Sequence, residues 1–324
     1  METTSAPLEA SGPFGAPLPW IFIDGAFCES AEGATSLHAN ALHYGTGTFE
    51  GMRAFWNDDH EDLYLLEGRA HYARLQASAR ILGRDLPHTP DELVAATAEL
   101  LRRNEVRGDA YVRPLYIVVD RQLPVRMDGM RMQLSIAVSP IVGDYVSLNG
   151  LRCKISTWRR APDDVMPSRA KLCGSYVGPA LAKSEAMRGG YDEALMLNTR
   201  GFVAEATTAN VFMRRGDEWI TPAVTDDILE GVTRGQLLEL LAEMTGRPVS
   251  QRSVHPSEIR ACDELLLCGT AALVAPVVEV DDRPVGDGEP GATSKALLDE
   301  LQAIARRVNG AHPEWTTSVY GGTR

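Results

Sequence analysis

The sequence has few cysteines and lacks any long apolar run. Its 324 residues include five cysteines, an odd number with no CxxC pair. This usage argues against a disulfide framework and against a zinc site, so no metal is expected. The longest apolar stretches, residues 265–268 and 271–278, fall short of the ~18–20 residues that a membrane-spanning helix needs. No contact with a membrane is therefore expected.

Basic charge is also scarce. The chain has 32 Lys and Arg residues against 44 Asp and Glu residues, which gives a net charge of −12. Nucleic-acid binding depends on clustered basic side chains, so that class of partner is not expected. Residues 1–19 lack the basic start and apolar block of a secretory signal, and they are interpreted as a flexible arm. The cytoplasm is the expected compartment.

The composition is that of a globular protein, with 44% hydrophobic and 23% charged residues. At ~100–200 residues per domain, the length predicts about two domains. We expect a small N-terminal α/β domain over residues 20–142 and a large C-terminal domain over residues 151–310. A glycine-containing linker, residues 143–150, would join them, and residues 311–324 would form a tail.

Short β-rich runs alternate with amphipathic segments, which predicts a mixed α and β protein. Residues 48–56 and 62–66 are typical strands, rich in aromatic and aliphatic side chains. Thr89-Pro90-Asp91-Glu92 combines an N-cap, a proline at the first helical position and a capping-box glutamate, so a helix is predicted to start there.

Three local features favour an anionic ligand. In Gly231-Val232-Thr233-Arg234 a glycine turn leads into a helix whose first N–H groups could bind a phosphate. The alternative is an ordinary helix N-cap by Thr233. Gly269-Thr270 breaks a strand and exposes backbone amides, although a glycine there often only turns the chain. Arg74 lies early in a predicted helix, where a solvated surface arginine is the alternative.

Lys171 lies among small residues between a β segment and a predicted helix. A lysine amine reacts with aldehydes when burial or a nearby positive charge lowers its pKa. A site that includes Arg74 and a cofactor could supply both causes. The alternative interpretation is a solvated loop lysine.

Six motifs together resemble the branched-chain amino acid aminotransferases, a group within the class IV pyridoxal-phosphate enzymes. The resemblance covers residues 20–288. The motifs, in chain order, are His43-Tyr44-Gly45-Thr46-Gly47-Thr48-Phe49-Glu50-Gly51-Met52-Arg53, Tyr111-Val112-Arg113-Pro114, Ala170-Lys171 with Gly174-Ser175-Tyr176, residues 201–212, Gly231-Val232-Thr233-Arg234 and Gly269-Thr270-Ala271-Ala272. The resemblance implies a two-domain fold that binds pyridoxal 5'-phosphate (PLP) between the domains.

The resemblance also assigns roles at the cofactor. Lys171 would be the catalytic lysine, joined to PLP as a Schiff base and acting as the proton-moving base. Glu205 would pair with the pyridine nitrogen, and Tyr176 would hydrogen-bond the phenolic oxygen. The residues implied at the phosphate are Arg74, Val232, Thr233 and Thr270.

On the substrate side, Tyr111 and the backbone amides of Ala271 and Ala272 resemble the pocket for the α-carboxylate. Arg113 would accept the second carboxylate of glutamate. The implied apolar wall consists of Tyr44, Phe49, Tyr176 and, from the linker, Tyr145. The sequence also departs from the familiar family pattern, because alanines stand at positions 204 and 209. Substrate specificity could differ accordingly.

The resemblance predicts a transaminase that exchanges the amino group between a branched-chain L-amino acid and 2-oxoglutarate, and that forms a homodimer. Three alternatives stay open at this stage. They are a class IV enzyme of a specialised pathway with another 2-oxo acid, a D-amino acid transaminase or aminodeoxychorismate lyase, and a non-catalytic module that retains the fold.

Overall fold

The computed structural model describes residues 13–143 and 149–321. Helices and two β-sheets alternate along the chain, which confirms the expected mixed α and β class. Within the described ranges, no helix has both the length and the apolar character needed to cross a bilayer.

The first sheet is built mainly from the N-terminal part of the chain, and its strand pairs are antiparallel. The long β6–β7 pair forms its centre, and β3 pairs with β6 beside β4. Its strands from this part of the chain are β1 (Trp20–Ile23), β2 (Ala26–Glu29), β3 (Gly47–Phe49), β4 (Met52–Asn57), β5 (Asp62–Leu66), β6 (Ala110–Val118) and β7 (Met132–Pro140).

The second sheet follows residue 150 and is mixed. β8 pairs in parallel with both β9 and β15, whereas β14 pairs antiparallel with β11 and β15. Its strands are β8 (Leu151–Arg159), β9 (Glu193–Leu197), β10 (Val203–Ala206), β11 (Asn210–Arg215), β12 (Glu218–Thr221), β13 (Ser250–Gln251), β14 (Glu264–Gly269), β15 (Leu273–Val280) and β16 (Arg283–Pro284).

The helices cover the sheets and supply the cores between the layers. α2 and α3 pack on the first sheet, while α5 and α7 pack on the second. The helices are α1 (Asn40–Tyr44), α2 (Gly68–Ile81), α3 (Pro90–Arg103), α4 (Val177–Arg188), α5 (Val232–Thr245), α6 (Pro256–Ile259) and α7 (Ala292–Ala305). The capping box predicted at Thr89 is confirmed, since Glu92 N donates to Thr89 Oγ1 and the Glu92 carboxylate accepts the Thr89 backbone N–H in return.

The C-terminal segment returns to the first sheet. β17 (Thr316–Ser318) pairs with β5, and Trp315 is buried against the core of α5 and α7. The expectation of a tail is therefore wrong for residues 311–321, because apolar burial and backbone pairing hold this segment. Residues 322–324 lie outside the described ranges.

The expectation of a flexible arm is likewise wrong for residues 13–19. Gly15 N donates to Pro140 O and Leu18 N donates to Val138 O, so this segment runs along β7. The rest of the arm, residues 1–12, and residues 144–148 of the linker lie outside the described ranges.

Residues 48–56, predicted as one strand, form two. β3 ends at Phe49 and β4 starts at Met52, with Glu50 and Gly51 between them. A Cβ atom at Gly51 would lie 2.0 Å from Tyr111 Oη, so this close approach requires glycine. The break turns the Glu50 side chain into a buried position, 0% exposed, beside α2.

Candidate active site

A cavity between the two sheets collects most of the residues that the sequence singled out. It encloses about 550 Å³ of empty space, within the ~300–1,000 Å³ typical of small-molecule sites. The expected cofactor residues that line it are Arg74, Lys171, Tyr176, Glu205, Val232, Thr233 and Thr270.

Lys171 is held at the centre of this cavity through its backbone and its amine. Its backbone N–H donates to Ser78 Oγ at 3.0 Å, and its carbonyl accepts Thr48 Oγ1 at 2.8 Å. Nζ lies 2.7 Å from Tyr176 Oη and 5.0 Å from the ring centre of Phe49. The amine is therefore fixed in an apolar wall rather than solvated, which removes the loop-lysine alternative.

The same surroundings change the acidity of the amine. Burial and then the positive charge of Arg74 lower the pKa of Lys171 from 10.5 to about 8, against the opposing charge of Glu50. A pKa near 8 raises the neutral fraction of the amine at pH 7 by about 300-fold over an unperturbed lysine. Lys171 is thus prepared to act as a nucleophile and as a base.

Tyr176 completes the wall around the amine. Its ring packs edge-on against Phe49 at 4.9 Å between ring centres. Burial and then the negative charge of Glu205 raise the pKa of Tyr176 above its ordinary value. The phenol therefore keeps its proton at neutral pH and can donate a hydrogen bond to an oxygen in the cavity.

Glu205 lies on β10 at another side of the cavity. Its Oε2 accepts hydrogen bonds from Asn210 Nδ2 at 3.0 Å and from Leu229 N at 3.1 Å, and its Oε1 pairs with Arg160 Nη2 at 3.1 Å. Burial raises the pKa of Glu205, while Arg160 and the Leu229 amide oppose that rise. The result is a buried, fully partnered carboxyl group in a cavity wall.

Arg160 and Asn210 are functional candidates that sequence reasoning missed. Nothing in the sequence distinguishes Arg160 from its exposed neighbour Arg159, because its role depends on a strand that lies 45 residues farther along the chain. Asn210 falls at the edge of the motif 201–212, and its Oδ1 also requires glycine at Gly231, where a Cβ would lie 2.1 Å away.

The start of α5 forms the anion-binding end of the cavity. The helix N-cap is Gly231, without a side-chain cap, so the first helical N–H groups stay available for a ligand. The alternative of an ordinary N-cap by Thr233 is wrong, since Thr233 lies inside the helix and lines the cavity. Arg74 approaches the same point, where its Nη1 donates to Glu230 O at 2.8 Å.

Three expected substrate residues also lie together. Arg113 Nη2 donates to Tyr111 Oη at 3.0 Å, and the guanidinium lies 4.9 Å from the ring centre of Phe49. The turn that contains Ala271 and Ala272 is tied to the first sheet, because Arg53 Nη1 donates to Ala271 O at 3.1 Å. Sequence reasoning assigned no role to Arg53, although it ends the first motif.

Two expected substrate residues are not brought to this cavity by the described structure. Tyr44 is 40% exposed, and its hydroxyl donates to Leu123 O on the outer surface. It does not line the cavity formed by its own chain. Tyr145 lies outside the described residues.

Comparison with known proteins identifies the family. The family model described as "Amino-transferase class IV" matches residues 47–280. The chain belongs to the class IV aminotransferases. It is therefore an enzyme of the aminotransferase type, and the expected fold is confirmed.

Individual relatives cover nearly the whole chain. The probable branched-chain-amino-acid aminotransferase of Aquifex aeolicus (strain VF5) is 40% identical over 304 residues, 94% of this chain and 97% of that protein. The crystal structure of the branched-chain aminotransferase of Thermoproteus uzoniensis with norvaline has a TM-score of 0.89 at 34% identity, covering 94% of this chain and 100% of that one. A branched-chain amino acid aminotransferase from T.th., complexed with N-(5'-phosphopyridoxyl)-L-glutamate, has a TM-score of 0.87 at 33% identity, covering 93% and 99%.

Class IV aminotransferases use PLP, which confirms the cofactor prediction at the level of the family. The donor set of this cavity fits that molecule. An aldehyde would meet the buried amine of Lys171, a ring nitrogen would meet a carboxyl group, and a phosphate would meet Arg74 and the uncapped start of α5.

The lowered pKa of Lys171 predicts how cofactor uptake depends on pH. We expect the rate at which cofactor-free protein binds PLP to rise with a midpoint near pH 8, because the neutral amine is the reacting form. Stopped-flow absorbance from about pH 6 to 11 measures this rate, with Lys171→Ala as the blank. A midpoint above 10, or borohydride labelling of a different lysine in peptide maps, would contradict the assignment.

A second prediction concerns Glu205. Glu205→Gln keeps the shape but removes the charge, and we expect single-turnover amino transfer to slow by roughly 10²-fold, the size of effect of losing one preorganised electrostatic partner. The matched control is Glu264→Gln, since Glu264 is also buried and paired with an arginine but does not line the cavity. Equal rates for the two variants would remove Glu205 from the chemistry.

Proposed function

We propose that this enzyme exchanges the amino group between a branched-chain L-amino acid and 2-oxoglutarate, with Lys171 as its catalytic residue. The observation that carries the proposal is the buried amine of Lys171, 2.7 Å from Tyr176 Oη and in one cavity with Glu205 and the start of α5. Its name and coverage make the Aquifex aeolicus relative, at 40% identity, a further support.

Each cofactor residue has a role that follows from its chemistry. PLP, when bound, acts as the acceptor for the electrons released at the substrate Cα. Lys171 holds the cofactor through its amine and then moves the proton from Cα, since its pKa of about 8 lets it both accept and return a proton near neutral pH. Glu205 stabilises a protonated ring nitrogen, and Tyr176 donates a hydrogen bond to the phenolic oxygen.

The phosphate end is assigned to Arg74, Val232, Thr233 and Thr270. The N–H groups at the start of α5 and the helix dipole favour a dianion there. Arg74 adds a charged donor, and the two threonines add hydroxyl groups.

The substrate side is assigned to Tyr111, Ala271 and Ala272 for the α-carboxylate and to Arg113 for a second carboxylate. Phe49, Tyr176, Tyr44 and Tyr145 supply the apolar wall. The relatives solved with norvaline and with a phosphopyridoxyl-glutamate adduct support a pocket that accepts both an apolar side chain and glutamate.

A homodimer is part of the proposal. Several large apolar side chains near Tyr44 are exposed on the first sheet's side of the molecule, more than a monomer commonly leaves uncovered in one region. They are Leu37, Leu42, Leu123 and Val125. A second copy that covers this surface would bury them. We also propose two domains, residues 20–142 and 151–310, and a cytoplasmic location, consistent with the unpaired cysteines Cys28, Cys153, Cys173, Cys262 and Cys268.

A half-reaction screen tests the proposal. PLP-loaded protein is mixed separately with L-leucine, L-isoleucine, L-valine, L-glutamate and the D-enantiomers, and the change in cofactor absorbance is followed. We expect bleaching by the branched-chain L-amino acids and by L-glutamate, and recovery with 2-oxoglutarate. Bleaching by D-amino acids alone would favour the D-amino acid transaminase, and no cofactor band at all would favour the non-catalytic module.

Arg113 gives a specificity prediction. We expect Arg113→Gln to reduce kcat/KM for L-glutamate by about tenfold or more, because one charge-assisted contact to the second carboxylate is lost. The value for L-leucine should stay within about threefold, so leucine is the internal control. Equal losses for both substrates would show that Arg113 does not recognise the second carboxylate.

A further inference from the structure

Glu50 is a buried carboxylate to which no role has yet been assigned. It is 0% exposed, and its neighbours on α2 surround it. Its two oxygens accept Arg74 Nε at 2.7 Å, Arg74 Nη2 at 2.8 Å and His71 Nδ1 at 2.7 Å. A charge buried this deeply is retained only when it is paired and hydrogen-bonded. The Glu50–Arg74 contact is the two-pronged arrangement that fixes a guanidinium most firmly.

The protonation states follow from these contacts. Burial alone would raise the pKa of Glu50, but the charge of Arg74 and the hydrogen bonds from Arg74 and His71 lower it well below its usual value. Burial lowers the pKa of His71, so the imidazole is neutral near pH 7. An ionised carboxylate only accepts hydrogen bonds, so the hydrogen of the neutral imidazole is on Nδ1.

These contacts use part of the donor capacity of Arg74. A guanidinium has five N–H donors, of which Glu50 takes two and Glu230 O takes one. Two donors therefore remain on a side chain that lines the cavity at the start of α5. Because the long arginine side chain is already fixed, a phosphate would bind it without the usual loss of side-chain freedom.

The segment that carries Glu50 also holds Lys171. Thr48 Oγ1 and Phe49 N both donate to Lys171 O, at 2.8 and 3.1 Å. From the other side, Lys171 N donates to Ser78 Oγ, which lies one turn beyond Arg74 on α2. The position of the lysine and the position of the guanidinium are thus set by the same two elements.

We propose that Glu50, supported by His71, is the positioning residue for the phosphate of PLP, and that it acts by fixing the Arg74 guanidinium relative to Lys171. The inference deepens the proposed function and rests on it. Glu50 also brings a negative charge close to the phosphate site, and that charge opposes a dianion. Positioning predicts weaker phosphate binding when Glu50 is neutralised, whereas repulsion alone predicts tighter binding.

The test compares PLP with pyridoxal, which lacks the phosphate. Dissociation constants for both are measured on cofactor-free wild type and on Glu50→Gln. We expect the Kd of PLP to rise by about tenfold or more, and the Kd of pyridoxal to change by less than about twofold. The control Glu264→Gln should leave both constants unchanged. An unchanged or lower Kd of PLP, or an equal rise for both compounds, would overturn the proposal.

A double-mutant cycle separates positioning from a general structural effect. In the Arg74→Gln background, adding Glu50→Gln should weaken PLP binding no further, because Glu50 acts through Arg74. A further loss would overturn the proposal. If Glu50→Gln does not fold, Glu50→Asp keeps the charge but is too short to engage both guanidinium nitrogens, and it should still weaken PLP selectively over pyridoxal. Wild type that binds neither compound would instead overturn the proposed function.

Discussion

The burial of the Lys171 amine beside the Arg74 guanidinium is the constraint on which the site depends. Two cationic groups in one enclosed cavity repel each other, and burial makes each charge more costly. The fold answers this with a carboxylate on each side, Glu50 bound to Arg74 and Glu205 across the cavity. Lysine responds by lowering its pKa, whereas arginine stays charged. A reactive amine and a fixed cation can therefore exist side by side.

The parts that were predictable from sequence are those that local chemistry determines. The capping box at Thr89 requires only four neighbouring residues, and α3 begins there. The start of α5 at Gly231 also follows from a short motif. In contrast, the break between β3 and β4 was missed, because it depends on Glu50 finding cationic partners on α2. Those partners are distant in sequence and give no local pattern.

The candidate site shows the same division. The motif positions Arg74, Lys171, Tyr176, Glu205 and Thr233 line one cavity, and recognising them required the order of six motifs. Arg160 was not recognised, since a lone arginine on a strand carries no sign of the carboxylate that it will meet. Residues 13–19 and 311–321 were misjudged for a related reason, because their pairing partners lie in strands far away along the chain.

The return of the C-terminal segment has a mechanical consequence. β17 joins the first sheet, and Arg306, just beyond α7, binds Asp109 through two hydrogen bonds of 2.7 Å. The polypeptide thus crosses between the sheets once before β8 and again after α7. A body anchored at two separated points resists rotation about either one. Wide hinge-bending of the halves is disfavoured, and molecules must enter and leave through small local rearrangements at the rim.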